Sequence, residues 1–243
     1  MLFSFLSGGD IRTALISLLL TIPTVLIALS FHEAAHALIA YKMGDRTAYN
    51  LGRVTLNPAK HLDLKGSLCM LFVGYGWAKP VPIHARNFKN PKYGMAWTAL
   101  AGPVTNLILG IIGMILYTVT ILVAQKAEVM LFLSPYAWYQ ITDNEMMYNI
   151  FYMTLTFFNN FAFLNFVFAI YNMIPVPPFD GSRFFSLFLP PKWYFGIMRY
   201  ENYTMIAVIG LSILCSYLFN FSPFGWLADK LMDLIAYPLF RLI

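Results

Sequence analysis

Four long apolar runs dominate the chain: Thr13–Tyr41, Met95–Ala124, Met146–Ile174 and Tyr203–Phe221. Each reaches the roughly 20 residues that a helix needs to cross the hydrocarbon core of a bilayer, so each predicts a transmembrane helix. The polar segments between them are too short to form a separate soluble domain. A shorter apolar stretch, Gly66–Ala78 (GSLCMLFVGYGWA), cannot span and has basic residues on both flanks. It predicts a re-entrant segment, β structure being one form of it, with a short interfacial helix as the alternative. The C-terminal FGWLADKLMDLIAYPLF sets Trp226, Leu227, Leu231 and Leu234 at helical spacing opposite Asp229, Lys230 and Asp233. That pattern predicts an interfacial helix or one further span. The fold class is therefore an all-α polytopic membrane protein of about four to six transmembrane helices. It is read as a single domain over 1–243, without internal repeats.

Composition agrees with the pattern. Hydrophobic residues make up 59% of the chain, charged residues 11%, and mean hydropathy is +0.65. A soluble domain of 243 residues cannot cover its surface with so few polar groups. The first run is longer than the apolar core of a signal peptide, so no removable leader is expected. Cys69 and Cys215 lie far apart in apolar surroundings, which suits two buried small residues better than a disulfide or a metal pair.

The 16 Lys and Arg residues are unevenly placed. Nine lie between the first and second runs, from Lys42 to Lys92, and three more, Arg183, Lys192 and Arg199, between the third and fourth. The positive-inside rule puts 42–93 and 175–202 in the cytoplasm and the 125–145 loop outside. This basic surface suits topology and anionic lipid headgroups and gives no sign of nucleic-acid binding.

One stretch breaks the apolar logic of the first run: ALSFHEAAHALIA at 28–40. His32 and His36 are four apart on a helix, so their rings leave the same face one turn apart. Two imidazoles at that spacing can share one Zn²⁺, and Glu33 projects beside them as general base to a zinc-activated water. Counting back from Lys42 places the pair roughly 9–15 Å below the cytoplasmic boundary. Ionisable groups at that depth are functional by default, because burying them in hydrocarbon is expensive. A catalytic zinc wants a third protein ligand. His61 and His84 lie in basic segments where solvated surface is expected. Asp180 is the better candidate: Pro175, Pro177 and Pro178 stop the third helix, and Gly181 permits a turn that folds the segment back into the bundle.

FHEAAH at 31–36 together with NMIPVPPFDG at 172–181 resembles the site-2 proteases, which are intramembrane zinc metalloproteases. Their signatures are HExxH and a downstream Asn-x-x-Pro-x-x-x-x-Asp-Gly, and both match without a gap. The resemblance extends through GRVTLNPAKHLDLKG at 52–66, GWAKPVPIHARNFKNPKYGMA at 76–96 and AGPVTN at 101–106. Its core covers about 25–185 and looks like the compact bacterial branch that lacks a PDZ or CBS domain. It implies that His32, His36 and Asp180 hold one zinc ion and that Glu33 is the base. It also implies that Asn172 positions substrate or stabilises the transition state. Gly74 and Gly76, in GYG, resemble the Gly-x-Gly of the family's re-entrant β-loop.

The function expected is an intramembrane zinc metalloendopeptidase cutting in or near transmembrane segments of membrane-protein substrates. The setting expected is a bacterial cell membrane, with the site toward the cytoplasm. Two alternatives are a membrane metal-binding or transport protein and a non-catalytic relative that only binds substrate helices. A carrier would show further ionisable residues along the spans, and an intact Glu33 argues against the non-catalytic relative. Asn106, one turn beyond Gly102, is explained by interhelical hydrogen bonding beside a close glycine contact. Asn165 shares a face with Asn172 and is read as orienting that helix inward.

Overall fold

A computed structural model of the protein describes residues 11–63, 65–66, 78–190, 192, 196 and 199–241. The first long run becomes α1, Ile11–Met43, and the second becomes α2, Pro91–Lys126. A hairpin of β1, Met130–Ser134, and β2, Ala137–Gln140, leads into α3, Glu145–Asn172. After a turn comes the short α4, Asp180–Phe185, then α5, Glu201–Phe219, and α6, Pro223–Phe240. Among the described residues three helices (α1, α2, α3) are long and apolar enough to cross a membrane, giving three spans, or four if the pair α5 and α6, bent by 81°, counts as one more. The protein is thus a helical, integral membrane protein, with three or four candidate spans among the described residues against the four to six expected. The Gly66–Ala78 segment, with Cys69, Gly74 and Gly76, lies outside the described residues except at its two ends.

Polar caps set the helix limits. Asn90 accepts a hydrogen bond from the Tyr93 N–H, and Pro91 opens α2 with the φ that a first turn requires. Asn144 caps α3 through the Met147 N–H at 3.1 Å. These caps carry α2 one turn further toward its N-terminus than the apolar run extends.

Helices α1, α2 and α3 pack as an antiparallel trio around one face of α2. That face carries Gly102, Asn106, Gly110 and Gly113. A Cβ at Gly110 would enter the Phe166 ring, and one at Gly113 would meet Phe161 and Ala162 at 3.0–3.1 Å. Lipid tails are as apolar as leucine, so close approach and dispersion hold such helices together. Further along, Met114, Tyr117 and Ile121 join Leu155 and Phe166 in the main core. The β1–β2 hairpin closes that end: Val129, Met130 and Phe132 are buried, and the Tyr117 hydroxyl donates to Pro135 O at 2.7 Å.

The C-terminal segment is a helix, as expected, but it does not pack by its bulky apolar stripe alone. In α6 the buried residues are Gly225, Ala228, Met232 and Ala236, whereas Trp226, Leu227 and Leu234 are exposed. Gly225, Ala228 and Ala236 let α6 approach the α3 core, Met232 and Leu231 pack there as well, and the rest of the bulky apolar stripe faces outward. His61 also differs: it is fully buried, with Nε2 2.8 Å from Thr55 O, while His84 is exposed as expected.

At the end where α1 finishes and α2 begins, Asp45 ties the chain together. It is fully buried and accepts hydrogen bonds from the Thr47 N–H and hydroxyl, the His84 N–H and the Asn87 amide. Burial alone would raise this carboxyl, but the Asn87, His84 and Thr47 donors override it and hold it down at about 2. A depressed folded pKa means that the stabilisation is fully present above the ordinary value of 3.8 and is lost as pH falls toward 2. Thermal unfolding in detergent should therefore show a drop in Tm over that window. Asp45→Ala should flatten the drop and, by orphaning buried donors, cost about 1–3 kcal/mol at neutral pH.

Candidate metal centre

The sequence places His32 and His36 on one face of α1, and both are buried against α2. Each ring is pinned at Nδ1 by an oxygen of α2. His32 Nδ1 lies 2.6 Å from Asn106 Oδ1, and His36 Nδ1 lies 2.7 Å from Thr98 O. The Asn106 amide nitrogen donates to Ala28 O and to Asn165 Oδ1, so its oxygen must be the atom that faces His32. Asn165 in turn donates to Phe161 O at 2.8 Å. A carbonyl oxygen cannot donate, so each neutral imidazole carries its proton on Nδ1 and leaves a lone pair at Nε2.

The two Nε2 lone pairs converge on a third acceptor. Beyond α3 the chain turns at Met173–Phe179 and returns as α4 with Asp180 as its first residue. Gly181 lies so close to Met173 O and Ile174 O that a Cβ there would strike the backbone. This close approach turns Asp180 back toward α1. Asp180 Oδ2 lies 3.1 Å from His32 Nε2 and 3.2 Å from His36 Nε2, and the two Nε2 atoms are 2.9 Å apart.

With both rings neutral the three facing atoms are all acceptors, and a cation among them would relieve their repulsion. A tetrahedral ion bound at about 2.0–2.2 Å would hold its ligand atoms about 3.3–3.6 Å apart, so the three atoms need move apart by only a few tenths of an ångström to take one. Two imidazoles and a carboxylate are the donor set of a catalytic zinc site, with a fourth position left over. The side of the site toward α2 is kept open by Gly102, whose added Cβ would fall 2.5–2.6 Å from both rings. Geometry and donor chemistry both fit a divalent ion. Among the described residues this is the one cluster whose atoms could hold a metal.

Glu33 follows His32 on α1 and is also buried. Its Oε2 accepts the Val81 N–H at 3.2 Å, across from the segment that runs into α2. Asn172 ends α3 with its amide donated back to Phe168 O at 3.1 Å, and no hydrogen bond joins it to the three converging side chains among the described residues. Gly74 and Gly76 lie outside the described residues.

Reading the sequence missed the supports. Asn106 orients the His32 ring, and Asn165 orients Asn106, although each alone suggests only helix association. The available signal was spacing: Gly102 and Asn106 share a face of α2 one turn apart, where a small residue makes room for a ring and an amide fixes it. Oriented second partners of metal-binding histidines typically contribute 10–100-fold in affinity. Asn106→Ala should therefore weaken zinc binding by about 10–100-fold, read by competition with a calibrated chelator.

The sequence model of peptidase family M50 matches residues 20–216. The chain is 37% identical over 190 residues to a protein of Bacillus subtilis (strain 168) named "Putative zinc metalloprotease YwhC", covering 78% of each chain. No solved structure matches.

Proposed function

Because the chain belongs to peptidase family M50, the site-2 protease family, we propose that it is a zinc metalloendopeptidase that hydrolyses peptide bonds in or next to transmembrane segments of other membrane proteins. The observation that carries this reading is the meeting of His32, His36 and Asp180 inside a bundle of membrane-length helices, with Glu33 beside them. A bound zinc ion supplies a Lewis acid for the scissile carbonyl and makes a coordinated water acidic enough to deprotonate near neutral pH.

His32, His36 and Asp180 hold the ion, and the α2 oxygens keep both rings turned toward it. Glu33 is the general base. With Oε2 engaged by Val81, Oε1 takes the proton from the attacking water, and the carboxyl then passes it to the departing amine. Asn172 lies at the end of α3, seven residues before the turn into Asp180 is complete; its amide, released from Phe168, is the side-chain donor offered to the developing oxyanion. A substrate helix hides its carbonyls in its own hydrogen bonds, so it must unwind locally before any of this can act.

The whole chain serves as one protease domain. The excess of basic residues at the end of the bundle near the site orients that end toward the cytoplasm of a bacterial cell membrane. A carrier would need successive ion sites along the spans, whereas the described residues hold one.

The test is comparative proteomics of membrane peptides from cells making the wild-type chain or Glu33→Gln. Fragments ending inside transmembrane segments should accumulate only with the wild type. Indistinguishable fragment sets would overturn the reading.

A further inference from the structure

Arg53 is 5% exposed, an unusual position for a side chain that stays charged at any physiological pH. No carboxylate lies within ion-pair distance of it among the described residues. Its guanidinium instead grips two consecutive backbone carbonyls, donating from Nη1 to Pro80 O at 3.2 Å and from Nη2 to Lys79 O at 2.5 Å. The next N–H along the chain is that of Val81, the donor to Glu33 Oε2.

The segment Lys79-Pro80-Val81-Pro82 cannot secure itself. Proline supplies no N–H, so Val81 carries the sole backbone donor of the three residues 80–82. Just upstream, one Leu62–Ala78 bridge and the Lys79 N–H to His61 O bond at 2.8 Å fasten it to the 53–62 loop. Arg53 fastens it at the point nearest Glu33. Burial lowers the Arg53 pKa, and the Glu33 carboxylate works against that shift, which places the two charges within each other's field.

We propose that Arg53 is a positioning residue for peptide hydrolysis: by clamping the Lys79 and Pro80 carbonyls it holds the Val81 N–H on the Glu33 carboxylate and fixes the base beside the metal ligands. This rests on Glu33 being the base. Lysine cannot replace the clamp, because one ammonium lacks the planar fork that reaches both carbonyls at once.

The experiment uses the full chain in detergent, loaded with zinc. Amide hydrogen exchange at Val81 should quicken at least tenfold in Arg53→Lys and Arg53→Gln, with zinc at one per chain and exchange within α2 unchanged. Unchanged Val81 protection in both variants would overturn the proposal. Turnover of fluorescein-labelled β-casein, taken as wild type minus Glu33→Gln, should fall about 10–100-fold in kcat with KM little altered. Loss of zinc in step with turnover would instead mark Arg53 as a structural residue. Val81→Pro deletes the same N–H directly, so the double variant Arg53→Lys/Val81→Pro should lose no more than Val81→Pro alone, and multiplied losses would refute the clamp. If the glutamine or proline variant does not accumulate in membranes, exchange and turnover of Arg53→Lys decide. If Glu33→Gln retains full turnover, the assignment of the base fails and Val81 exchange alone judges the clamp; if Glu33→Gln is dead and Arg53→Lys is fully active, only the clamp fails.

Discussion

Glu33→Gln is expected to lower kcat by about 10²–10⁴-fold, the range typical of a lost general base, while zinc stays at one per chain. Glutamine has the same shape, and its carbonyl oxygen can still accept the Val81 N–H that now meets Glu33 Oε2 at 3.2 Å. The substitution therefore removes a proton acceptor without disturbing α1, the imidazoles or Asp180. The corresponding barrier increase is about 3–5 kcal/mol. Zinc content by elemental mass spectrometry and turnover on the same preparation make the measurement. A variant that keeps its metal and its rate would show that Glu33 does not carry the proton.

Gly102→Ala should do the reverse and remove the ion. Its Cβ would fall 2.5 Å from His32 Cε1 and Nε2 and 2.6 Å from His36 Cε1. A flexible side chain could swing aside, but these rings cannot. His32 is held by Asn106 Oδ1 and His36 by Thr98 O, so moving either ring breaks a bond of 2.6–2.7 Å in the interior. Overpacking of this kind typically costs 1–3 kcal/mol in stability, and here the displaced atoms are the metal-facing ones. Zinc should fall below about a tenth of an ion per chain, and turnover should fall with it. Gly210→Ala is the matched control, because nothing lies within 4 Å of the Cβ it would add. Full zinc occupancy in Gly102→Ala would mean that α2 does not press on the imidazoles.

How much of this was legible in the chain depends on the physics behind each feature. Length and hydropathy delimit α1, α2 and α3 to within a few residues, because crossing a bilayer imposes a minimum apolar run. The metal-facing trio was legible too: His32 and His36 at helical spacing, and Asp180 behind a proline-rich turn that no helix could continue. Hydropathy failed where polarity and burial part company. His61 and Arg53 occupy a basic, hydrophilic stretch, yet both are buried, since each satisfies backbone carbonyls that the loop leaves without partners. The β1–β2 hairpin lies in the 125–145 loop, which hydropathy marks only as a connection, although Ser134 and Pro135 stand at its turn. In α6 the spacing predicted a helix but not its packing face, which combines Gly225, Ala228 and Ala236 with the larger Met232 and Leu231. Partners such as Thr98 O are backbone atoms, which any residue type supplies and no sequence pattern reveals.

The separation between the two halves of the metal centre has a consequence for biogenesis. His32 is made early, whereas Asp180 is 148 residues later in the chain. At about 5–20 residues per second, a ribosome needs roughly 7–30 s to travel between them. During that interval the first helices can already sit in the bilayer with both imidazoles in place and no acid to complete the grip. On the proposed assignment, a chain that ends before Asp180 lacks one of its three metal-facing groups, so hydrolysis requires synthesis to have passed the third helix.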